Sequence, residues 1–243
     1  MDASELLAVW EQGFRVSPPE RPLHLLAAAD AERTQEELAD LPVGRRDREL
    51  FLLRRWLFGG DLQGTTACPS CGERLEMSID SADLLVDEPT EGPTPLVVEG
   101  CLVEFRVPST ADLIAISVSP QTGDADTARA RVLERCVLAA RDATGKTVSI
   151  SSLPATVVET VIARMAEADP QADVTLHVVC PACACSWEAP FDIAAFLWDE
   201  LDLWARRVLR EVAMLARVNG WSEREVLALS PTRRRLYVDL ASV

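Results

Sequence analysis

Two matched cysteine pairs constrain this chain more than any other feature: Cys68-Pro69-Ser70-Cys71 and Cys180-Pro181-Ala182-Cys183. Each Cys-x-x-Cys turn offers two thiolates, and four thiolates close the tetrahedral shell that zinc prefers. The proline after each first cysteine suits a tight turn, and Gly72 after Cys71 tolerates backbone conformations that other residues resist. Strand-like patterning flanks both turns. Leu75, Met77 and Ile79 alternate with polar residues after the first, Val174 to Val179 leads into the second, and Ser186 to Phe191 follows it. Two hairpin tips meeting across one metal would form a zinc ribbon. Cys68, Cys71, Cys180 and Cys183 are therefore the candidate ligands of a structural Zn2+.

The spacing is unusual. About 108 residues separate Cys71 from Cys180, against about 15–20 in a compact ribbon. The site would have to join distant parts of the chain, with helices inserted between. Ala184 stands where the first turn has Gly72. Cys185 is close enough to compete with Cys183, and His177, on the strand into Cys180, is a further possible ligand. The alternative is two unrelated turns with unpaired thiols. A saturated four-thiolate shell leaves no open position for water, so the metal would be structural rather than catalytic. Cys101 and Cys136 read as small core hydrophobes.

Seven cysteines, an odd number, argue against a disulfide framework. Apolar residues make up 48% of the 243, enough for a real core. The longest apolar runs fall short of the roughly 18 residues that span a membrane, and the first residues lack a basic signal region. This predicts a soluble, cytoplasmic protein with no membrane partner. The net charge of −15 repels phosphate backbones and disfavours a nucleic-acid partner. Its two histidines are His24 and His177. Neither a glycine-rich phosphate loop nor a nucleophile elbow occurs, and the chain reads as no enzyme.

Periodicity supplies the remaining elements. A helix from Ser4 to Phe14 has Leu6, Leu7, Trp10 and Phe14 on one face. A second runs from Leu23 to Ala29. A third, from Asp47 to Phe58, places Leu50, Leu53 and Leu57 on a stripe and ends at Gly59-Gly60. Residues 87–95 and 120–124 read as loops. Leu96 to Val98 and Leu102 to Val107 form a hairpin about Glu99-Gly100-Cys101. Ser109 or Thr110 caps a helix through Ile116. Asp126 to Arg141 is a helix with Leu133, Cys136, Val137 and Ala140 inward, and another runs from Pro154 to before Asp169. A long helix spans Asp192 to Val218 with Ile193, Phe196, Leu197, Trp204, Val208 and Leu215 as its stripe. Ser222-Glu223-Arg224-Glu225 is a capping box, and a final helix carries Tyr237.

The fold class is α+β: a small central β zinc ribbon, split by a long insertion and surrounded by N-terminal, inserted and C-terminal helices. The regions are 1–62 helical, 63–108 first knuckle and hairpin, 109–171 inserted helices, 172–192 second knuckle, and 193–243 helical. Arg45, Arg46, Arg233, Arg234 and Arg235, with Trp221, are the candidate partner-binding residues, since arginine and tryptophan are favoured in interfaces. Solvated helix faces carrying ion pairs are the alternative.

Four stretches carry a resemblance. They are Leu41-Pro42-Val43-Gly44-Arg45-Arg46-Asp47 leading to Leu57-Phe58-Gly59, and Cys68-Pro69-Ser70-Cys71-Gly72-Glu73. The third is Cys180-Pro181-Ala182-Cys183 with Trp187 to Ile193 and Phe196-Leu197-Trp198. The fourth is Gly220-Trp221-Ser222-Glu223 with Leu227 to Pro231 and Arg233 to Tyr237. In this order they resemble the T-even-phage-type baseplate hub assembly chaperone family of contractile phage tails and related contractile injection systems. Ala184-Cys185 departs from the glycine of that pattern. The resemblance implies a non-enzymatic baseplate component or assembly chaperone whose partners are hub, spike or tube proteins, and which is incorporated in the particle or released from it. A zinc-ribbon nucleic-acid-binding accessory factor, with salt-sensitive affinity, is the alternative. A zinc hydrolase would require an open metal position.

Overall fold

The computed structural model describes residues 1–86, 94–117 and 125–241. Most of the expected loop at 87–95, and all of that at 120–124, lies outside them. In chain order the helices are α1 Ala3–Gly13, α2 Arg21–Ala29, α3 Gln35–Ala39, α4 Val43–Phe58, α5 Thr110–Ser117, α6 Ala125–Cys136, α7 Ala155–Ala168, α8 Ile193–Asn219, α9 Glu223–Leu227 and α10 Pro231–Ala241. The strands are β1 Asp61–Ala67, β2 Arg74–Asp80, β3 Thr94–Val98, β4 Cys101–Phe105, β5 Val137–Arg141, β6 Thr175–Val179 and β7 Ser186–Pro190. The chain is thus mixed α+β. It divides into two compact units, Met1–Glu32 with Ala194–Val243, and Arg33–Ile193.

The first unit is helical and organised by α8. Leu197, Leu201, Ala205, Val208, Val212 and Leu215 recur at helical spacing and are buried. Leu7 of α1 and Val226 of α9 join this core. Asp2 caps α1 in a reciprocal box with Glu5, and Ser222 does the same for α9 with Glu225. A Cβ on Gly13 would fall inside the Trp198 ring, so only glycine lets α1 and α8 approach this closely. Phe14, expected to face inward, is 54% exposed and meets Trp10 and Trp198 edge-on.

The second unit holds three antiparallel sheets among the described residues: β1-β2, β3-β4-β5 and β6-β7. The three-stranded sheet packs its Cys101, Val103, Phe105 and Ala140 against Leu133 of α6 and Val157, Val161 and Met165 of α7. Its β3–β4 turn uses Glu99 at φ 51° and Gly100 at φ 77°, the left-handed pair that a two-residue hairpin requires.

The helix expected from Asp126 to Arg141 stops at Cys136. Residues 137–141 form β5, paired with β4 from Phe105↔Val137 to Leu102↔Arg141. Gly145, at φ 83°, and Asp142, which accepts from the amides of Thr144 and Lys146, turn the chain back. An edge position on β4 wins over helix continuation, because β4 otherwise leaves a row of unpaired backbone groups. Helix α4 starts at Val43, four residues before the expected Asp47. The amide of Val43 donates to the Pro108 carbonyl and that of Gly44 to Asp169 Oδ2, each at 2.9 Å. These partners satisfy first-turn donors that the helix itself leaves open. The short α3 went unread, although Thr34 and Glu37 form a capping box.

Candidate metal centre

Both knuckles are built by the same backbone device. In the first, the Cys68 amide donates to the Glu73 carbonyl at 2.8 Å and the Gly72 amide to the Cys68 carbonyl at 2.9 Å. In the second, the Cys180 amide donates to the Cys185 carbonyl at 2.8 Å and the Ala184 amide to the Cys180 carbonyl at 2.9 Å. Gly72 has φ 75° and Ala184 has φ 58°. Position by position, Ala184 therefore plays the part of Gly72 and Cys185 the part of Glu73.

Each knuckle is the tip of a hairpin. β1 pairs with β2 from Asp61↔Asp80 to Ala67↔Arg74, and β6 with β7 from Thr175↔Pro190 to Val179↔Ser186. The tips converge so that the sulfurs of Cys68, Cys71, Cys180 and Cys183 lie within 4.8 Å of one another. The cross-knuckle distances are 3.7 Å, for Cys68 to Cys183 and for Cys71 to Cys180. A disulfide would bring sulfurs to about 2.05 Å. A tetrahedron of sulfurs about 2.3 Å from a central zinc has edges near 3.8 Å, which these distances fit. Cys68 and Cys180 are buried, whereas Cys71 and Cys183 reach the surface.

Within the quartet, Cys68 and Cys71 are shifted in opposite directions. The amide of Cys71, with that of Ser70, faces the Cys68 sulfur and pulls its thiol down to about 6 against the cost of burial. The Glu73 amide favours the Cys71 thiolate, but the surrounding sulfurs, Cys183 foremost, and burial outweigh it and push that thiol up to about 12. Negative charge on one sulfur thus resists charge on the next. A central divalent ion would relieve that conflict between Cys68 and Cys71.

The remaining candidates fall elsewhere. Cys185 is half-buried and sits outside the four-sulfur group. Its Sγ lies 3.9 Å from the Ser186 carbonyl, and burial followed by nearby sulfur charge raises its thiol. His177 pairs across the strands with Glu188 at 2.9 Å, and both are exposed. Cys101 and Cys136 lie in the core of the three-stranded sheet, as expected. Burial pushes the Cys136 thiol up to about 11.

The expected docking residues divide. Arg45, Arg233 and Arg235 are exposed. Arg46 and Arg234 are instead buried, at 5% and 4% exposure, in internal ion pairs: Arg46 with Asp47 at 2.6 Å and Arg234 with Glu211 at 2.6 Å. Within the chain, both guanidinium groups are thus committed to internal partners. Trp221 is half-buried, with Tyr237 edge-on at 4.9 Å.

Two buried polar nodes escaped the sequence reading. Asp112, fully buried, accepts from Arg106 at 2.6 and 2.9 Å, from Arg135 at 2.9 Å and from the Ser109 amide at 3.0 Å. Burial alone would raise its carboxyl, but Arg106, Ser109 and Arg135 together hold it well below the usual carboxylate range. The second node gathers Arg46, Asp47 and Asp169 at the start of α4. Burial raises the carboxyl of Asp47 to about 6 and lifts that of Asp169 too, against Arg46 beside both. A Cβ on Gly44 would overlap the Asp169 carboxylate, so the stretch Val43-Gly44-Arg45-Arg46-Asp47 is in large part a helix-docking device.

Among the described residues no helix is long and apolar enough to cross a membrane. The model of a family described as T4 bacteriophage base plate protein matches residues 28–198, a span that encloses α4, both knuckles and the inserted sheet. Neither a curated protein nor a solved structure gave a match.

Proposed function

The chain belongs to the T4 bacteriophage base plate protein family, and we propose that it works as a non-enzymatic structural or assembly protein of a contractile-tail baseplate. In this reading one Zn2+ sits among Cys68, Cys71, Cys180 and Cys183, and the role of the chain is to bind hub, spike or tube proteins. The observation that carries it is the convergence of both hairpin tips inside the span matched by the family model. A ribbon closed by four thiolates offers no open metal position, which favours binding over hydrolysis. Zinc bound in small folded modules contributes on the order of 10–16 kcal/mol, enough to join two hairpins a hundred residues apart in sequence.

The test is affinity isolation of the tagged full-length chain from cells assembling the tail. Eluted proteins are identified by mass spectrometry, and metal is quantified by elemental analysis. Co-eluting hub, spike or tube proteins with about one zinc per chain support the reading. Nucleic acid with zinc and no tail protein would move the chain to the accessory-factor class. A metal-free protein with its tail partners would remove the zinc and leave the baseplate role.

A further inference from the structure

The two sulfur contacts at 3.7 Å share one property. Each crosses from one knuckle to the other, and together they use all four sulfurs once. Four cysteines allow three complete pairings, and burial separates them. Cys68 and Cys180 are buried, whereas Cys71 and Cys183 are exposed. Oxidation by a dissolved disulfide begins with attack by a thiolate that the reagent can reach. Pairing Cys68 with Cys180 offers no such sulfur. Both remaining pairings join an exposed sulfur to a buried one. One runs within the knuckles, Cys68 with Cys71 and Cys180 with Cys183. The other runs across them, Cys68 with Cys183 and Cys71 with Cys180.

The two have opposite consequences. Disulfides within the knuckles would close each turn on itself and leave the hairpins unjoined. Disulfides across them would tie together residues 115 and 109 apart in sequence, at the place where the hairpin tips already meet. A bridge over so long a loop constrains the unfolded chain most. The geometry favours the crossing pairs, because their sulfurs touch at 3.7 Å and side-chain rotation alone has to close them to about 2.05 Å. Cys185 stands outside the four-sulfur group, with its Sγ 3.9 Å from the Ser186 carbonyl.

We propose that the quartet has a second closed state: with the metal withdrawn and a disulfide oxidant such as oxidised glutathione present, Cys71 bonds to Cys180 and Cys183 to Cys68, so that the hairpins stay stapled. This deepens the metal reading of the quartet and does not depend on which tail protein the chain binds. The exchange balances. The Cys71 thiolate attacks one sulfur of glutathione disulfide, forms a mixed disulfide and expels one glutathione thiolate. The Cys180 thiolate then attacks the Cys71 sulfur and expels the second glutathione. Two electrons pass from the cysteine pair to the glutathione disulfide, and the two thiol protons go to the glutathiones released. Cys183 and Cys68 repeat these steps with a second molecule of oxidant. The same four thiolates are the metal ligands, so metal and oxidant compete for them.

The test takes the purified full-length chain in a strong chelator and divides it between oxidised glutathione and a thiol reductant. Free thiols are blocked under denaturing conditions, the chain is digested without reduction, and linked peptides are read by mass spectrometry. The expected links are Cys68 to Cys183 and Cys71 to Cys180, with Cys101, Cys136 and Cys185 recovered as blocked thiols. Hydrogen exchange over residues 61–80 and 175–190 should stay slow in the oxidised sample and become fast in the reduced one. A chain carrying both Cys68→Ser and Cys183→Ser should still link Cys71 to Cys180. Links of Cys68 to Cys71 and of Cys180 to Cys183, any link to Cys185, or glutathione adducts alone overturn the proposal. Metal content is measured on the same preparation before chelation. A chain that holds no zinc but forms both crossing links removes the zinc and keeps the pairing.

Discussion

Ala184 holds at φ 58° a conformation that its counterpart in the other knuckle reaches with glycine. For an L-residue the left-handed region costs roughly 1–2 kcal/mol. Ala184→Gly is therefore expected to stabilise the chain by about 1 kcal/mol, read as a higher urea midpoint at unchanged metal content. Gly44 works in the opposite sense. Gly44→Ala forces a methyl group onto the Asp169 carboxylate and is expected to cost about 1–3 kcal/mol, measured by the same denaturation. Asp47 beside it links stability to pH. Its folded carboxyl is raised to about 6 by burial, above an unfolded value near 3.9. Its protonation therefore favours the folded state below that unfolded value, and the contribution is lost as pH rises through about 6. Asp47→Asn should flatten the dependence of the urea midpoint on pH between about 4 and 6. The cysteine quartet was legible because Cys-x-x-Cys is a local signal with a known chemical use. Cys183 and Cys185 were not separable by spacing alone. The knuckle's hydrogen-bond pattern separates them, by assigning Cys185 the place of Glu73. The burial of Arg46 and Arg234 left no sequence trace, since arginine is ordinarily a surface residue and only tertiary partners make an exception.

The hairpins β1–β2 and β6–β7 are the elements with least support of their own. Each is two-stranded, and their inward residues are mostly half-buried. Isolated pairs of this kind are marginal in water. Under a strong chelator, hydrogen exchange measured by mass spectrometry should show residues 61–80 and 175–190 losing protection first, while the buried stripe of α8 keeps it. Cys71→Ser should reproduce that pattern and lower the zinc content, whereas Cys185→Ser should leave both unchanged. The helices were read closely where apolar periodicity was strong, as in α1, α2, α7 and α8. The reading failed for β5, where Cys136, Val137 and Ala140 satisfy a helical and a strand pattern alike and pairing with β4 decides. It placed strands on both sides of the first turn but gave no range for β1, whose Thr65-Thr66-Ala67 carries no apolar alternation and pairs because β2 lies beside it.

At the scale of the molecule, the class α+β followed from the alternation of helical and strand-like stretches, but the division into units did not. Residues 1–32 and 194–243 form one compact unit around an excursion of the chain from 33 to 193. The boundary read at 193 falls beside the break at 194, but nothing in the sequence marks position 32, because what joins the two segments is a core of Leu7, Val208, Leu215 and Val226 assembled from opposite ends of the chain. The same separation governs the order in which parts become available during translation. Ribosomes add about 5–20 residues per second, so the first knuckle waits several seconds for the second. The segment carrying α1 and α2 waits longer for α8. For that interval the nascent chain carries half of the cysteine quartet and an uncovered apolar helix, which is the period in which an early-binding partner would have most effect on the yield of folded protein.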